Sequence, residues 1–537
     1  MIAGSFVELL LRQWPLALVV AAVLYLTRNY FNRGLNKYPG PLPAQLTDWF
    51  RFYKVWKRRP EQWHIKIHEK YGDVVRLGPN SLSFGNPNAI KVIYGLGKGF
   101  TKSDFYPVQM ATSKGIRLPT LFSTQSEHFH SQLKRSVNHA FSMSSQMQYE
   151  PFFDSTNEVF LDQTDKRFAS TGDVCNFYRW LQFYTFDVIG DMVYSKRHGF
   201  LETNVDVDDI VRDNARLFDY AALIGQIPFL DKLWNKNPIR LWAAKHGIGE
   251  ATFGVARFAK ARLAERHPSG TTSFSKENFA WEQTKDTPAD LLSRFIDAKL
   301  ERPDFFNDQL VMTMCVSMAF AGSEPAAVSL SGVFASLLRH PESMKKLMEE
   351  LDDKCRAGHF KDNRLGLVTW AESQDLPFLD ACINEAFRIH PAPGLPFERV
   401  VPSEGVEICG DFVKGGTIVG CNAWVIHRRT EVFGDDVEVY RPERWLVDET
   451  KDREQELARI RRMKNTLMQF GMGPRVCLGK HIGLMEMYKL IPSVLRRFEL
   501  ELEDSSRIPR FWNGWFVRPV EFRVKFQKRE LVQPLLV

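Results

Sequence analysis

Cysteine is scarce in this sequence, and the few cysteines show no paired arrangement. The chain has 537 residues and seven cysteines, an odd number without any C-x-x-C spacing. They are Cys175, Cys315, Cys355, Cys382, Cys409, Cys421 and Cys477. This pattern argues against a disulfide framework and indicates a reducing compartment. No N-x-S/T glycosylation site is present, so we expect the body of the protein to face the cytosol.

The sequence also lacks a strong charge of one sign. Its net charge is +7 at pH 7, which is small for this length and unlike the clustered positive charge of nucleic-acid-binding proteins. We therefore expect no nucleic-acid partner. Hydrophobic residues make up 44% of the chain, which is enough for a large folded core.

The first 38 residues differ from the rest. An unbroken apolar run extends over 14–26, and basic residues follow it. A membrane span needs ~20 mostly apolar residues, with positive charge on the cytosolic side. Residues 1–38 are therefore predicted to be a retained membrane anchor; the alternative is an apolar helix that lies on the fold. A proline-rich stretch at 39–43 can be neither helix nor central strand, and we expect it to begin a single large domain at 39–537.

One cysteine lies in a glycine-rich segment near the C-terminus. The segment reads Phe470-Gly471-Met472-Gly473-Pro474-Arg475-Val476-Cys477-Leu478-Gly479, followed by an apolar run compatible with a helix. Glycine permits the positive-φ turns of a tight loop, and a helix N-terminus lowers the pKa of a neighbouring thiol. We therefore predict a thiolate at Cys477, with a nucleophile, a redox group and a metal ligand all open. The alternative is an ordinary buried structural cysteine.

The spacing of this segment resembles one known pattern. It fills every fixed position of F-x-x-G-x-R-x-C-x-G, the haem-ligand loop of the cytochrome P-450 family. The resemblance implies that Cys477 is the axial thiolate ligand of haem iron, which pushes electron density onto the metal. It also implies that Arg475 pairs with a haem propionate and that Phe470 packs near the ligand sulfur.

Three more residues are implied as contacts of the haem propionates. Arg399 matches a propionate-binding arginine of the family. A helix predicted at 128–142 carries His130 and Lys134, where the family usually has a tryptophan and an arginine four residues apart. Lysine keeps the charge but lacks the planar fork of arginine. The alternative for this helix is a solvated basic face.

The longest predicted helix covers 304–339, with Asn307 or Asp308 as its cap. Its middle resembles the oxygen-activation motif of the family. The resemblance implies that Gly322 lets the backbone lie close to the haem face. It also implies that Glu324 is the acid that manages protons during oxygen activation.

Proline occupies position 325, where the family has threonine. Proline has no N–H and would leave the carbonyl of Ala321 without its helical donor. We expect a widened turn whose free carbonyl, with Ser323 or water, replaces the threonine hydroxyl. The alternatives are a hydroxyl supplied by the substrate and an altered oxygen chemistry.

Glu385 and Arg388 lie on one face of a short helix predicted at 378–390. With Arg444 they match the Glu-Arg-Arg triad of the family, which implies a role in folding and haem retention. The remaining predicted elements are a β-hairpin at 73–84, a long loop at 101–126, a polar linker at 267–288, strands within 406–424 and a β-turn at 511–516. The resemblance implies that the apolar region at 217–234 caps the substrate pocket and dips into the membrane; the alternative is an ordinary helix–loop–helix core. It also implies that the segment starting at Pro393 lines the pocket over the haem. The aromatic residues of 511–516 suggest an apolar pocket wall, with core packing as the alternative.

The resemblance implies a mainly α protein with a small β region, namely the cytochrome P-450 fold behind an N-terminal anchor helix. It implies a haem-thiolate monooxygenase that uses haem b, O2 and NADPH-derived electrons to oxidise a lipophilic small molecule. The sequence after Cys477 looks most like fungal microsomal members of the pisatin-demethylase-like group, which indicates secondary metabolism or detoxification. The implied location is the endoplasmic reticulum membrane, with the catalytic domain in the cytosol.

The implied electron donor is NADPH-cytochrome P-450 reductase, with cytochrome b5 as a second candidate. Arg461, Arg462, Lys464 and Lys480 form a basic patch that suits an acidic partner. One alternative is a haem enzyme of the same fold that catalyses an isomerisation, dehydration or rearrangement, for which Pro325 would be the signature. Another is a haem-binding sensor or electron carrier.

Overall fold

The protein is mostly helical, with several small sheets. A computed structural model describes residues 2–248, 254–265, 289–362, 364–506 and 509–534. The α-helices are Ile2–Tyr30, Leu42–Leu46, Trp49–Trp56, Pro60–Tyr71, Asn88–Ile93, Phe105–Val108, Glu127–Val137, Met143–Gln148, Glu150–Thr164, Phe177–Tyr194, Phe200–Thr203, Ile210–Ile224, Phe229–Leu233, Pro238–Lys245, Gly254–Glu265, Leu291–Glu301, Asp308–Arg339, Pro341–Arg356, Trp370–Ser373, Pro377–Ile389, Ala423–Ile426, Thr430–Phe433, Arg453–Thr466 and Lys480–Arg497. The β-strands are Val74–Gly78, Ser81–Phe84, Thr101–Lys102, Ala111–Ser113, Ile116–Leu118, Cys175–Asn176, Arg399–Val400, Val406–Ile408, Asp411–Val413, Ile418–Gly420, Phe498–Leu502, Arg510–Gly514, Phe516–Val520 and Arg523–Lys528. The prediction of a mainly α fold with a small β region is confirmed.

The central helix, Asp308–Arg339, has 32 residues. Asn307 caps it by accepting a hydrogen bond from the Leu310 N–H at 3.0 Å, so the helix begins later than the predicted residue 304. It packs against the Phe177–Tyr194 helix, in which nearly every residue is buried. Among the described residues the central helix is the one that is long and apolar enough to cross a membrane, but 61% of its most apolar stretch is buried. Such a helix, apolar on all sides, forms the interior of the fold.

A five-stranded sheet joins segments that are distant in the chain. Its strand order is Val74–Gly78, Ser81–Phe84, Ile418–Gly420, Arg399–Val400 and Thr101–Lys102. The first two strands form the hairpin predicted at 73–84. The last two pair antiparallel, which places Lys102 directly opposite Arg399. This pairing brings two cationic side chains to one position in the sheet.

Residues 101–126 are not the long loop that the sequence predicts. The segment contains the strand Thr101–Lys102, a helical turn and a small hairpin of Ala111–Ser113 with Ile116–Leu118. Gly115 adopts φ +72° at the tip of that hairpin. A Cβ at this position would lie 2.2 Å from a backbone oxygen of a neighbouring helix. Local sequence could not reveal the first strand, because its partner lies about 300 residues away in the chain.

Other predicted elements are confirmed with small shifts. The helix predicted at 128–142 is the α-helix Glu127–Val137, and a 3-10 turn continues it to residue 141. The helix predicted at 378–390 is Pro377–Ile389. The predicted turn at 511–516 belongs to a hairpin of Arg510–Gly514 with Phe516–Val520, here called the C-terminal hairpin. The linker predicted at 267–288 lies outside the described residues.

The predicted triad is present in the core. Arg388 Nη2 lies 2.8 Å from Glu385 Oε1, and Arg444 Nε lies 3.3 Å from the same oxygen. All three side chains are at most 2% exposed. The pairing of Glu385 with Arg388 follows from their spacing on one helix, whereas Arg444 arrives from a separate segment.

The N-terminal helix Ile2–Tyr30 is joined to the body at its C-terminal end. The Arg76 guanidinium donates to the carbonyl of Asn29 at 2.6 Å and to that of Tyr30 at 2.7 Å. Residues 13–28 are all exposed. This exposure argues against an apolar helix that lies on the fold and leaves the membrane-anchor interpretation as a proposal.

Candidate functional site

The cysteine loop (470–479) is a tight turn whose shape depends on two glycines. Gly471 and Gly473 have φ values of +70° and +67°, which favour glycine. A Cβ at position 473 would lie 1.7 Å from the carbonyl oxygen of Tyr94, so only glycine fits there. The Cys477 N–H donates at 2.8 Å to the carbonyl of the first loop residue. This bond closes the loop.

The Cys477 thiol is enclosed by protein but keeps exposed surface. Burial raises the pKa of the thiol, while the Gly479 N–H and the Lys480 charge act in the opposite direction. The start of the following helix therefore acts to lower the pKa, as predicted, but the cost of burying a thiolate is the larger effect in the free thiol. A bound metal ion would reverse this balance, since it deprotonates a coordinating thiol.

Phe470 connects the cysteine loop to the helix of the triad. Its half-buried ring packs edge-on against Phe387, with 5.6 Å between ring centroids. Phe387 belongs to Pro377–Ile389, the helix that also carries Glu385 and Arg388. The triad is therefore one side-chain contact away from the loop.

The residues predicted to bind haem propionates lie together. The pKa of His130 is lowered to about 3, first by burial and then by the charges of Arg475, Lys102, Lys134 and Arg399. The imidazole is therefore neutral at pH 7. We call Lys102, Lys134, Arg399 and Arg475 the cation cluster.

Lys102 is the member of the cation cluster that the sequence analysis missed. It is 4% exposed, and its Nζ donates to the carbonyl of Phe122 at 2.5 Å. Burial, followed by the charges of Arg399 and Arg475, lowers the pKa of its ammonium well below the usual value, and Glu127 opposes this shift. Like charges directly opposite each other in a sheet repel, so the pair of Lys102 with Arg399 favours an anionic ligand. No local signal identifies Lys102, because its two-residue strand depends on a distant partner.

The other three cations have one carboxylate partner among the described residues. Arg475 pairs with Glu127 at 2.7 Å. Lys134 Nζ donates to a carbonyl of the cysteine loop at 3.0 Å, and Arg399 Nη1 donates to the Tyr106 hydroxyl at 3.2 Å. One carboxylate cannot balance even the three cations Lys134, Arg399 and Arg475 in a mostly buried place. The cluster therefore fits a ligand that brings carboxylates of its own.

The backbone around Pro325 differs from the prediction. The central helix is α-helical through this residue, so the predicted widened turn is wrong. Because proline has no N–H, the Ala321 carbonyl still lacks its helical donor. The Ser323 hydroxyl donates to the Ala319 carbonyl at 2.7 Å. Thr185, from the neighbouring helix, donates to the Ser323 carbonyl at 3.1 Å.

Gly322 allows a close crossing of two helices. A Cβ at this position would lie 2.3 Å from Cδ1 of Ile189 on the neighbouring helix. Its small size is therefore explained by packing in the core. The accessible side of the central helix is that of Ala321, which is exposed, with Ser317 and Pro325 half-buried. These three residues are four apart and share one face.

Glu324 is 1% exposed, and its carboxylate contacts three donor side chains from other elements. The Tyr178 hydroxyl donates to Oε1 at 2.6 Å, and Gln182 Nε2 donates to Oε2 at 2.7 Å. Arg518 Nη1 lies 3.6 Å from Oε1. Burial and then the Glu324 charge raise the pKa of Tyr178 well above its usual value, so this hydroxyl remains a donor. These contacts form a second cluster, separate from the cation cluster.

An apolar cluster lies beneath the C-terminal hairpin. Its buried members include Phe105, Phe218, Leu395 and Trp515. Phe105 and Trp515 stack with 4.9 Å between their centroids. Leu395 belongs to the segment that the family resemblance places over the haem. Trp515 is buried within this cluster, and a pocket wall at residues 511–516 stays a prediction.

Comparison with known proteins gives one family model and several relatives. The model for cytochrome P-450 matches residues 39–526. A cytochrome P-450 monooxygenase of Aspergillus terreus is 40% identical over 478 residues, which are 89% of this chain and 92% of the relative. The cytochrome P-450 monooxygenase cicH of Emericella nidulans is 38% identical over 516 residues, 95% of this chain and 98% of the relative. The cytochrome P-450 monooxygenase asR2 of Sarocladium schorii is 35% identical over 509 residues, 94% of this chain and 95% of the relative.

Proposed function

Because the chain belongs to the cytochrome P-450 family and is a monooxygenase of that family, we propose that it inserts one oxygen atom from O2 into a lipophilic small molecule. The names of the relatives favour this oxygenating reaction over an isomerisation, dehydration or rearrangement. By analogy with the pisatin-demethylase-like group, the substrate belongs to secondary metabolism or detoxification.

The enclosed, accessible thiol of Cys477 beside the cation cluster is the observation that carries the proposal. A thiolate suits an axial iron ligand, and the excess of buried positive charge suits two propionates. Cys477 would hold the iron of haem b, and the cation cluster with the neutral imidazole of His130 would bind the propionates. Haem held in this way supplies the activation of O2. Glu127 is 46% exposed, so exchanging it for a propionate as the partner of Arg475 would cost little.

Glu324 is the proposed acid of the reaction. It lies in the middle of the central helix, next to Pro325 and within one turn of the Ala321 carbonyl. That carbonyl has no helical donor and belongs to the accessible face of the helix, so with a water molecule it would replace the missing threonine hydroxyl. The Ser323 hydroxyl is occupied by a helix carbonyl and would contribute only after rotating away from it.

The substrate would bind against the apolar cluster. Its aromatic members offer large apolar surfaces at fixed positions, which suits a lipophilic molecule. Phe218 belongs to the helix Ile210–Ile224, so part of this wall lies in the region that the sequence predicts to cap the pocket.

Residues 1–38 are proposed to anchor the enzyme in the endoplasmic reticulum membrane, with the catalytic domain at 39–537 in the cytosol. The exposed apolar side chains of the N-terminal helix support this location. Trp49 and Trp56 are also more than half exposed, as are Phe229 and Trp234 in the region predicted to dip into the membrane. Exposed tryptophans of this kind are common at membrane interfaces.

Electrons would come from NADPH through NADPH-cytochrome P-450 reductase, with cytochrome b5 as a second donor. Arg461, Arg462, Lys464 and Lys480 are all exposed. Lys464 pairs with Asp380 at 3.0 Å, whereas the other three make no ion pair with the described residues. They are therefore available to an acidic partner.

The test of the haem assignment is Cys477→Ser, with Cys409→Ser as the control because that cysteine is also exposed. Both variants are purified, reduced and treated with CO. We expect the wild type and the control to show the Soret band of thiolate-ligated haem and Cys477→Ser to lose it. Retention of that band by Cys477→Ser would overturn the proposal.

A further inference from the structure

Two ion pairs connect Glu324 to the helix Ile210–Ile224 through Arg518. Arg518 is 14% exposed, and its Nη2 donates to both oxygens of Asp219, at 3.0 and 3.1 Å. Its Nη1 lies 3.6 Å from Glu324 Oε1, which exceeds hydrogen-bonding distance. The guanidinium is therefore bonded to Asp219 and only near Glu324.

Asp219 lies where three elements meet. Trp512 Nε1 donates to it at 3.0 Å, and Arg58 Nη1 lies 3.4 Å from it. A Cβ at Gly514 would come within 1.9 Å of Asp219 Oδ1, so the tip of the C-terminal hairpin closes tightly over the carboxylate. Arg58 also lies over the Trp512 ring at 4.7 Å. A displacement of the helix Ile210–Ile224 would break the contacts of Asp219 with Arg58, Trp512 and Arg518 together.

The same helix covers the proposed substrate region. Phe218 packs edge-on against Phe516 of the C-terminal hairpin, with 5.0 Å between centroids. A molecule that enters the apolar cluster from this side must move the helix, and Asp219 moves with it. The charged and titratable groups that face Glu324 are Tyr178 and Arg518. Those that face Asp219 are Arg58 and Arg518.

We propose that Asp219 and Arg518 are positioning residues for Glu324, and that the position of helix Ile210–Ile224 sets the contact between Arg518 and Glu324. With the helix in place, Asp219 holds the guanidinium 3.6 Å from Glu324, so that the hydrogen bonds of Glu324 come from its neutral donors, Tyr178 and Gln182. When the helix moves, Arg518 pairs with Glu324 and holds its carboxylate in the charged form. Proton supply is thereby linked to closure over the substrate. This inference rests on the proposed role of Glu324 as the acid.

The first test needs no turnover. Hydrogen–deuterium exchange is measured over Ile210–Ile224 in the full-length protein. Asp219→Asn is compared with Asp213→Asn, a control on the same helix whose pair with Arg216 is long, at 4.0 Å, and involves an arginine that is 70% exposed. We expect exchange to rise by about fivefold or more in Asp219→Asn and to stay unchanged in the control. Equal exchange in the two variants would overturn the inference.

The second test measures the ratio of H2O2 to water formed from NADPH and O2 by the reductase-reconstituted enzyme without added substrate. Asp219→Asn should raise this ratio by about fivefold. In this variant Arg518 pairs with Glu324 and keeps its carboxylate charged, so that Glu324 has no proton to donate. Arg518→Gln should leave the ratio at or below the wild-type value and should abolish the effect of Asp219→Asn in the double variant. A merely structural role predicts a higher ratio in both single variants and contradicts the inference.

A Glu324→Gln variant separates the two proposals. If it leaves the ratio unchanged, the proposed role of Glu324 as the acid fails. If it raises the ratio while Asp219→Asn does not, the role of Glu324 stands and the inference about Asp219 is refuted. Asp219→Asn should have no further effect in a Glu324→Gln background, which provides the same test if Arg518→Gln does not fold.

Discussion

The buried triad allows a quantitative prediction for Glu385→Gln. The Glu385 carboxylate accepts five hydrogen bonds, three at Oε1 and two at Oε2. Arg388 and Arg444 supply three of these and are at most 2% exposed. A glutamine amide keeps one oxygen, so its NH2 group must face at least two donors. Both guanidiniums would also lose their shared counter-charge.

Removing one partner of a buried ion pair costs ~3–5 kcal/mol. Arg444 keeps a second partner, Asp436 at 2.6 Å, so we expect Glu385→Gln to lower the free energy of unfolding by ~3 kcal/mol, the lower end of that range. Such a loss reduces the ratio of folded to unfolded protein by roughly a hundredfold. Urea unfolding followed by far-UV circular dichroism measures it.

The matched control is Glu443→Gln, one residue from Arg444. Glu443 pairs with Lys346 at the surface, where the two side chains are 37% and 52% exposed. Exposed pairs contribute about 0–1 kcal/mol, so we expect little change. A loss below 1 kcal/mol in Glu385→Gln, or an equal loss in both variants, would refute the reasoning from burial.

Three further predictions follow from the cysteine loop, the central helix and the basic patch. Gly473→Ala would lower the free energy of unfolding by ~3 kcal/mol or more, through its positive φ and an overlap with a backbone oxygen. Gly483→Ala should instead raise the free energy of unfolding by ~0.5–1 kcal/mol, because Gly483 lies in a helix and an added Cβ would be 3.8 Å from the nearest side-chain atom. Urea unfolding compares the two variants. Pro325→Thr restores a helical N–H and a hydroxyl, so we expect a lower ratio of H2O2 to water, and an unchanged ratio would remove Pro325 from the mechanism. Replacing Arg461 and Arg462 by glutamate should slow reduction by the reductase about tenfold at low salt and less at high salt; stopped-flow formation of the CO complex measures this, and an unchanged rate would exclude the patch as the docking site.

The sequence by itself determined the features whose interactions are local. The positive φ angles of Gly471 and Gly473 are local properties that residue type and spacing predict, although the overlap with Tyr94 that also requires glycine at 473 is a tertiary contact. The cap at Asn307 and the pairing of Glu385 with Arg388 have the same origin, since each involves residues within one helical turn. For this reason the cysteine loop, the helix starts and most of the triad could be predicted before the fold was known.

The tertiary structure alone decided which distant side chains share a site. Lys102 joins the cation cluster because a two-residue strand pairs with Arg399, and strand register is set by burial and pairing over the whole sheet. Glu324 matches a local motif, but its partners Tyr178 and Arg518 come from another helix and from the C-terminal hairpin. Such contacts depend on how whole elements pack, since a buried carboxylate must find its donors wherever the completed core places them.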